Sequence, residues 1–251
     1  MSRFNWQMSC AAAFAALSAA VTPVAAQSHA QPRVEISANA GALTGASTFT
    51  ETESFTVNAE TETVTVDHGV KTAPAFNVGG AVRVVQQVWV GVQFAVANTK
   101  SSAAITALVP HPLQFNAPRT VTGTLDDVAH NEQNVHVDVM YALPLAAVDV
   151  RVMAGPTFFN LQQDFVSGLT VKETYPFDTA TFDKATTKQL TKSAVGFNAG
   201  VDVSRALSPR FAVGGLVRYS RADVKFDDAS VGKQTVKAGG VEVTGGVRIR
   251  F

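Results

Sequence analysis

The chain has 251 residues, 20 basic and 20 acidic side chains, and a formal net charge of zero. Apolar residues make up 46% and charged residues only 16%, against a usual charged share of about 25%. That balance excludes a disordered polyelectrolyte, gives no electrostatic case for nucleic acid, and leaves room for one or two domains with a buried core.

Residues 1–26 read as a signal peptide. Arg3 is the only charge before position 33, the apolar run CAAAFAALSAAVT covers 10–22, and small residues end the segment at Ala25-Ala26, as a signal peptidase requires. Cleavage after Ala26 is expected to leave 27–251 as one domain. The only cysteine, Cys10, goes with the leader, so the mature chain is expected to hold no disulfide, cysteine zinc site or thiol nucleophile.

No mature segment reaches 18 consecutive apolar residues; the recurring signal is period two, a strand with unlike faces. In 33–42, Val34, Ile36, Ala38 and Ala40 oppose Glu35, Ser37 and Asn39. The link 43–74 carries Glu51, Glu53, Glu60, Glu62 and Asp67 among many threonines, with no Lys or Arg from 34 to 70. Its Phe49, Phe55, Val57, Val64 and Val66 give it strand character, so it is expected to extend the first hairpin. Its acids suit either a solvated hairpin or a site for a divalent cation or a basic partner.

Segments 75–85 and 88–97 alternate in the same way and are joined by Gln86-Gln87. The link 98–133, with Pro110, Pro112 and Pro118, is expected to be irregular. In 134–143, Val135, Val137, Val139, Tyr141 and Leu143 oppose His136, Asp138 and Met140. After a short turn, 148–159 sets Val148, Val150, Val152, Ala154 and Phe158 against Asp149, Arg151 and Met153. The link 160–192 mixes Lys172, Glu173, Asp183 and Lys184. Segments 193–206 and 210–224 flank Leu207-Ser208-Pro209, and the link 225–238 leads to the final 239–251. There Val241, Val243, Val247, Ile249 and Phe251 oppose Glu242, Thr244, Arg248 and Arg250.

Eight strands with strictly alternating short and long links predict an eight-stranded, antiparallel, up-and-down transmembrane β-barrel, with short periplasmic turns and long external loops. The apolar stripes lack charge across the middle of every strand, so they are assigned to lipid. Aromatic residues fall at both ends of those stripes: Phe76, Phe94, Phe158, Phe197 and Tyr219 toward the long loops, Tyr141, Phe211 and Phe251 toward the short turns. Two such girdles are what a membrane interface selects.

The inward set then holds Glu35, Asp138, Asp149, Asp202 and Glu242 against Arg83, Arg151, Arg218, Arg248 and Arg250, with His136 and no lysine. Arginine pairs bidentately with carboxylates, and a lumen of eight strands is narrow enough for side chains to fill it. The balance of signs predicts a paired network where an ion-selective pore would favour one sign. A switchable salt bridge gating a narrow channel is the functional alternative. Gly79, Gly91, Gly155, Gly200, Gly214 and Gly246 also fall inward, with Trp89 to fill the room they leave.

The mature chain resembles the small eight-stranded outer-membrane barrels, the OmpA/OmpX-like and opacity-protein-like porin family. The most specific piece is the end, where Val247, Ile249 and the terminal Phe251 alternate with polar residues after Gly245-Gly246; it looks like the signal read by the barrel assembly machinery. The resemblance implies a bacterial outer-membrane location, periplasmic chaperones, insertion by that machinery, and outer-membrane lipid as the standing partner. Some members carry a periplasmic peptidoglycan-binding domain, which is not expected here.

The family also includes lipid-modifying enzymes that use His, Ser and a carboxylate near the outer rim. Here His29, His68, His111, His130 and His136 are scattered without metal-ligand spacing. His136 and Asp138 share a face and could share a hydrogen bond, without a positioned serine nucleophile. Neither catalysis, a metal nor a cofactor is expected. The expected function is structural or surface-interacting through the external loops, with a narrow porin as the alternative and an outer-leaflet lipid-modifying enzyme behind it. The loop ligand is left open.

Overall fold

The computed structural model describes residues 32–45, 48–69, 71–143, 145, 148–228 and 231–251; the expected signal peptide lies outside them. Ten strands follow one another: β1 Val34–Gly45, β2 Phe49–Val57, β3 Glu60–His68, β4 Ala73–Val85, β5 Val88–Val109, β6 Arg119–Leu143, β7 Asp149–Glu173, β8 Ala180–Ala206, β9 Phe211–Asp228 and β10 Gly232–Arg250. Every pairing is antiparallel. Eight strands close a ring in the order β1-β4-β5-β6-β7-β8-β9-β10, and β10 returns to β1. A closed ring leaves no edge in hydrocarbon, which is why barrels can cross a bilayer.

The seam is made by the first and last of the described strands, β1 and β10. Ile36 lies opposite Ile249 and Ala38 opposite Val247, while the Phe251 amide donates to the Val34 carbonyl at 2.9 Å. All eight segments expected as strands are strands, and β1 begins at Val34.

Two expectations are corrected. The first long link contributes two further strands, β2 and β3, around an Asn58-Ala59 turn whose φ angles are 51° and 63°. β3 pairs with β5 from Ala103 to Leu108 and so continues the wall above the start of β4. The other long links are not loops either. β5 runs on to Val109 and β6 starts at Arg119, leaving 110–118, with its three prolines, as the irregular stretch. Likewise only 174–179 separates β7 from β8. The alternation continues through these segments with its chemistry exchanged, so a search for apolar outward stripes stops too early.

Candidate functional site

Each strand presents odd and even residues to opposite faces, and β9 shows what this does along one strand. From Phe211 to Tyr219 the outward residues include Val213 and Val217, both largely exposed, while Leu216 and Arg218 are fully buried inside. This stretch rises about 20 Å when tilted as barrel strands are, close to the ~25 Å apolar band of such proteins. Beyond it the outward residues become Arg221, Asp223, Lys225 and Asp227, and the inward ones Ala222, Val224 and Phe226.

All eight girdle aromatics lie outward and exposed: Phe76, Phe94, Tyr141, Phe158, Phe197, Phe211, Tyr219 and Phe251. The belt between them carries Ile36, Val78, Val92, Val139, Val201 and Val243, all more than a third exposed. In water so large an apolar surface would drive association; around a closed ring with a charged interior it fits acyl chains. The molecule is a closed, transmembrane-type β-barrel.

Inside the barrel the charged side chains form layers. At the short-turn mouth, the Arg151 guanidinium donates to Glu35 and lies 4.7 Å from the centroid of Trp89. Arg83 lies over the same ring at 6.0 Å. Arg250 donates through Nε to Glu35 (2.8 Å), through Nη1 to Asp149 (2.7 Å) and through Nη2 to Ser204 (2.9 Å). Asp149 sits at the rim, its side chain half exposed. Arg248 donates to Asp202, and the Arg248 side chain is fully buried.

One layer deeper, Arg218 Nη2 donates to Asp138 (2.9 Å) and to Gln93 Oε1 (2.6 Å), with Glu242 3.9 Å from Nη1. Arg218 and Asp138 are both wholly shielded. Glu242 also accepts from Asn77, whose own side-chain oxygen accepts from Asn39 at 2.6 Å. Trp89, Met140, Met153 and Leu216 pack as an apolar cluster against this pair of layers. The expected inward glycines give the room: a Cβ on Gly91 would lie 2.6 Å from Met140, and one on Gly79 2.2 Å from Gln93.

His136 does not bond to Asp138 in this arrangement. Its Nδ1 is 2.8 Å from Thr157 Oγ1, which also accepts from Asn198 at 3.0 Å.

Above lies a layer that sequence reasoning missed. His130 bridges Gln163 Oε1 (2.6 Å) and Glu132 Oε1 (3.0 Å). Glu132 also accepts from Asn134 and from the Gly239 amide at 3.0 Å. Gly239 has a φ of 88°, and a Cβ there would meet the Ser220 carbonyl oxygen at 2.3 Å, so only glycine presents its amide to Glu132 in this way. The signal was available: His130, Glu132, Asn134, His136 and Asp138 all share one parity on β6, two members of the set lying before the expected start of that strand.

Over these layers sits an apolar cap. β6 and β7 pair only as far as His130–Gln163, and β8 and β9 only as far as Phe197–Arg221. The outer β7–β8 hairpin therefore leaves the wall and packs against its neighbours. The Phe182 ring fills the place of a side chain at Gly123, 2.4 Å from where its Cβ would be. Val66, Ile105, Val121, Val128 and Val166 make one buried cluster, and Phe159, Leu161, Phe165, Val224 and Phe226 another.

The β2–β3 hairpin is fastened into the cap. Glu51 is fully buried, accepting from the Val166 amide (2.9 Å) and meeting His68 Nε2 at 2.7 Å. The His68 ring stacks on Phe49 at 4.3 Å. Glu53 accepts from Gln234 Nε2 of β10 at 3.0 Å, and burial, with Glu51 nearby, raises its pKa against that hydrogen bond. Burial raises the Glu62 pKa as well. Glu51 and Glu53 are thus tied into the cap, and the described residues contain no group of three or more His, Cys, Asp or Glu placed to hold a metal. At the hairpin tips, Arg119 donates to the Phe177 carbonyl at 2.7 Å and pairs with Glu173 at 2.6 Å.

No family model and no curated protein matches the chain. Among solved structures it is similar to the outer membrane protein OprG from Pseudomonas aeruginosa, with 10% identity over 89% of this chain and 97% of that one, at a TM-score of 0.48. It is also similar to Neisserial surface protein A, with 12% identity over 87% and 97% and a TM-score of 0.43. A third is the outer membrane protease OmpT from Escherichia coli, with 10% identity over 87% and 97% and a TM-score of 0.47.

Proposed function

We propose that this barrel is a non-catalytic outer-membrane protein whose lumen is closed and whose outer cap meets partners outside the cell. The observation that carries this reading is the double closure. Arg218, Asp138, Arg248 and Asp202 cross-link the membrane layer, and Phe159, Phe165 and Phe226 fill the space above it. A conducting path would have to break desolvated ion pairs, each strongly costly to separate, and then open an apolar core.

The charged lumen residues serve in this reading as a structural plug, and the girdle aromatics set the height of the barrel in the bilayer. Val247 and Ile249 lie on the seam strand β10 and Phe251 directly follows it, a place consistent with a signal for the assembly machinery and its chaperones. The charge and polarity of the cap's outer face suit a protein or glycan partner, chosen by the hairpin tips.

The narrow-porin reading keeps one supporting observation: the pairs at the short-turn mouth share Glu35 between two arginines, so one can exchange while the other holds. Planar-bilayer conductance of the folded chain separates the two. Silence is expected; steady, salt-dependent steps would make the porin reading the right one. A lipid-modifying role would instead show as loss of lipid turnover in His136→Ala with the fold intact.

A further inference from the structure

One flank of the lipid-facing surface holds a groove of about 470 Å³ lined by residues of β5, β6, β7 and β8. Strand register explains its shape. Phe94 lies beside Val135, Val135 beside Phe158, and Phe158 beside Val195. A small side chain therefore sits between two phenyl rings at the level of the outer girdle. Two residues further out, Gln133 lies beside Asn160, and Asn160 beside Ser193. All three are exposed, and Ser193 Oγ donates to Asn160 Oδ1 at 3.3 Å.

We infer that this groove holds one outer-leaflet lipid, its chain between Phe94 and Phe158 and an uncharged, hydroxyl-rich headgroup on Gln133, Asn160 and Ser193. The inference rests on the membrane reading above and names a specific partner for that surface. Three features point to this ligand. The groove is continuous with the acyl-facing belt, so a chain reaches it without leaving hydrocarbon. Its polar residues stand on the external side, at the height where headgroups begin. None of its lining residues is charged, so it offers amide and hydroxyl partners to sugar or glycerol hydroxyls but no cation to a phosphate. The volume is within the usual range for small-molecule sites, roughly 300–1,000 Å³.

The test uses the full-length mature chain folded into phosphatidylcholine vesicles that contain a monoglycosyl diacylglycerol and a phosphatidylglycerol with identical chains. Lipid retained on the released protein is counted by native mass spectrometry. The folded barrel is expected to keep the glycosyl lipid about tenfold better than the phosphatidylglycerol, a difference of about 1.4 kcal/mol. Val135→Trp fills the slot between the rings and is expected to abolish retention, while Val217→Trp, on β9 outside the groove, leaves it unchanged. Gln133→Ala with Asn160→Ala is expected to erase the preference between the two lipids.

Equal retention by Val135→Trp and Val217→Trp would overturn the site, and equal retention of both lipids by the unaltered chain would overturn the headgroup assignment. A barrel that inserts, shows its heat-modifiable gel shift and retains neither lipid would overturn the inference while leaving the membrane reading standing. A chain that fails to insert at all would overturn both.

Discussion

The membrane belt and the outer cap are built on the same strands with opposite chemistry. In the belt, β9 puts Val213, Val217 and Tyr219 outward and Arg218 inward; in the cap it puts Asp223, Lys225 and Asp227 outward and Val224 and Phe226 inward. β5 does the same, with Gln93 buried in the belt and Ile105 and Val109 buried in the cap. Backbone geometry does not distinguish the two halves. The solvent outside does: lipid stabilises an apolar exterior, and water stabilises an apolar core. The boundary on β9 lies between Tyr219 and Arg221, the level at which its pairing with β8 ends.

Removing one charge from the belt interior should have the largest effect. Arg218→Ala leaves Asp138 and Glu242 buried without their cation, and breaking such a pair costs roughly 3–5 kcal/mol. The unfolding temperature in detergent, read from the heat-modifiable gel shift, should fall sharply. Replacing Arg218, Asp138 and Glu242 together by apolar residues of similar volume should restore much of the loss, since an intact buried pair adds little over good packing.

Within the cap the corresponding lesion is a cavity. Phe226→Ala should cost about 3–5 kcal/mol, and it should show first as protease cleavage in the outer hairpins while the belt stays resistant. If belt and cap lost protection together, the two regions would be one cooperative unit.

Swapping exterior chemistry sharpens the contrast. Val217→Lys in the belt should destabilise by roughly 2–4 kcal/mol in bilayers. Lys225→Val, a few residues along the same face, should stay within about 0.5 kcal/mol. Equal effects would remove the boundary between Tyr219 and Arg221.

The smallest expected effect is on pH. Glu53 and Glu62 have raised pKa values in the folded cap, so the folded state binds their protons more tightly than the unfolded one. Their contribution to docking of the β2–β3 hairpin is therefore full below the ordinary carboxylate range and is lost as pH rises through the raised values. Limited proteolysis of the hairpin should be slower at pH 4 than at pH 7, and Glu53→Gln should flatten that difference.

Much of the barrel was legible because lipid-facing strands obey a strict rule: Val241, Val243 and Val247 can be read from period two alone. The inward arginines and carboxylates follow from the opposite parity, and their pairings then depend on register. Which arginine meets which acid was not legible, since Arg218–Asp138 spans 80 residues and Arg250–Glu35 spans 215. The cap was missed for a different reason. Val224 and Phe226 continue the alternation of β9, but Asp223, Lys225 and Asp227 around them resemble a loop until the water side is recognised as the outside. Likewise Glu51 stood among the acids of the first long link and His68 among scattered histidines, and only the β2–β3 pairing brings them together.

The central claim, one strand with two exteriors, is tested most directly by a spin-label scan along β9. Single cysteines would be placed from Val213 to Asp227 in residues 27–251, which hold no native cysteine, in bilayers, and probed with oxygen and with a water-soluble nickel chelate. The account predicts oxygen access at 213, 217 and 219, nickel access at 221, 223, 225 and 227, and neither at 216, 218, 224 and 226. Nickel access at 213, 217 and 219 would contradict it, placing that face in water and the apolar belt inside something other than a membrane.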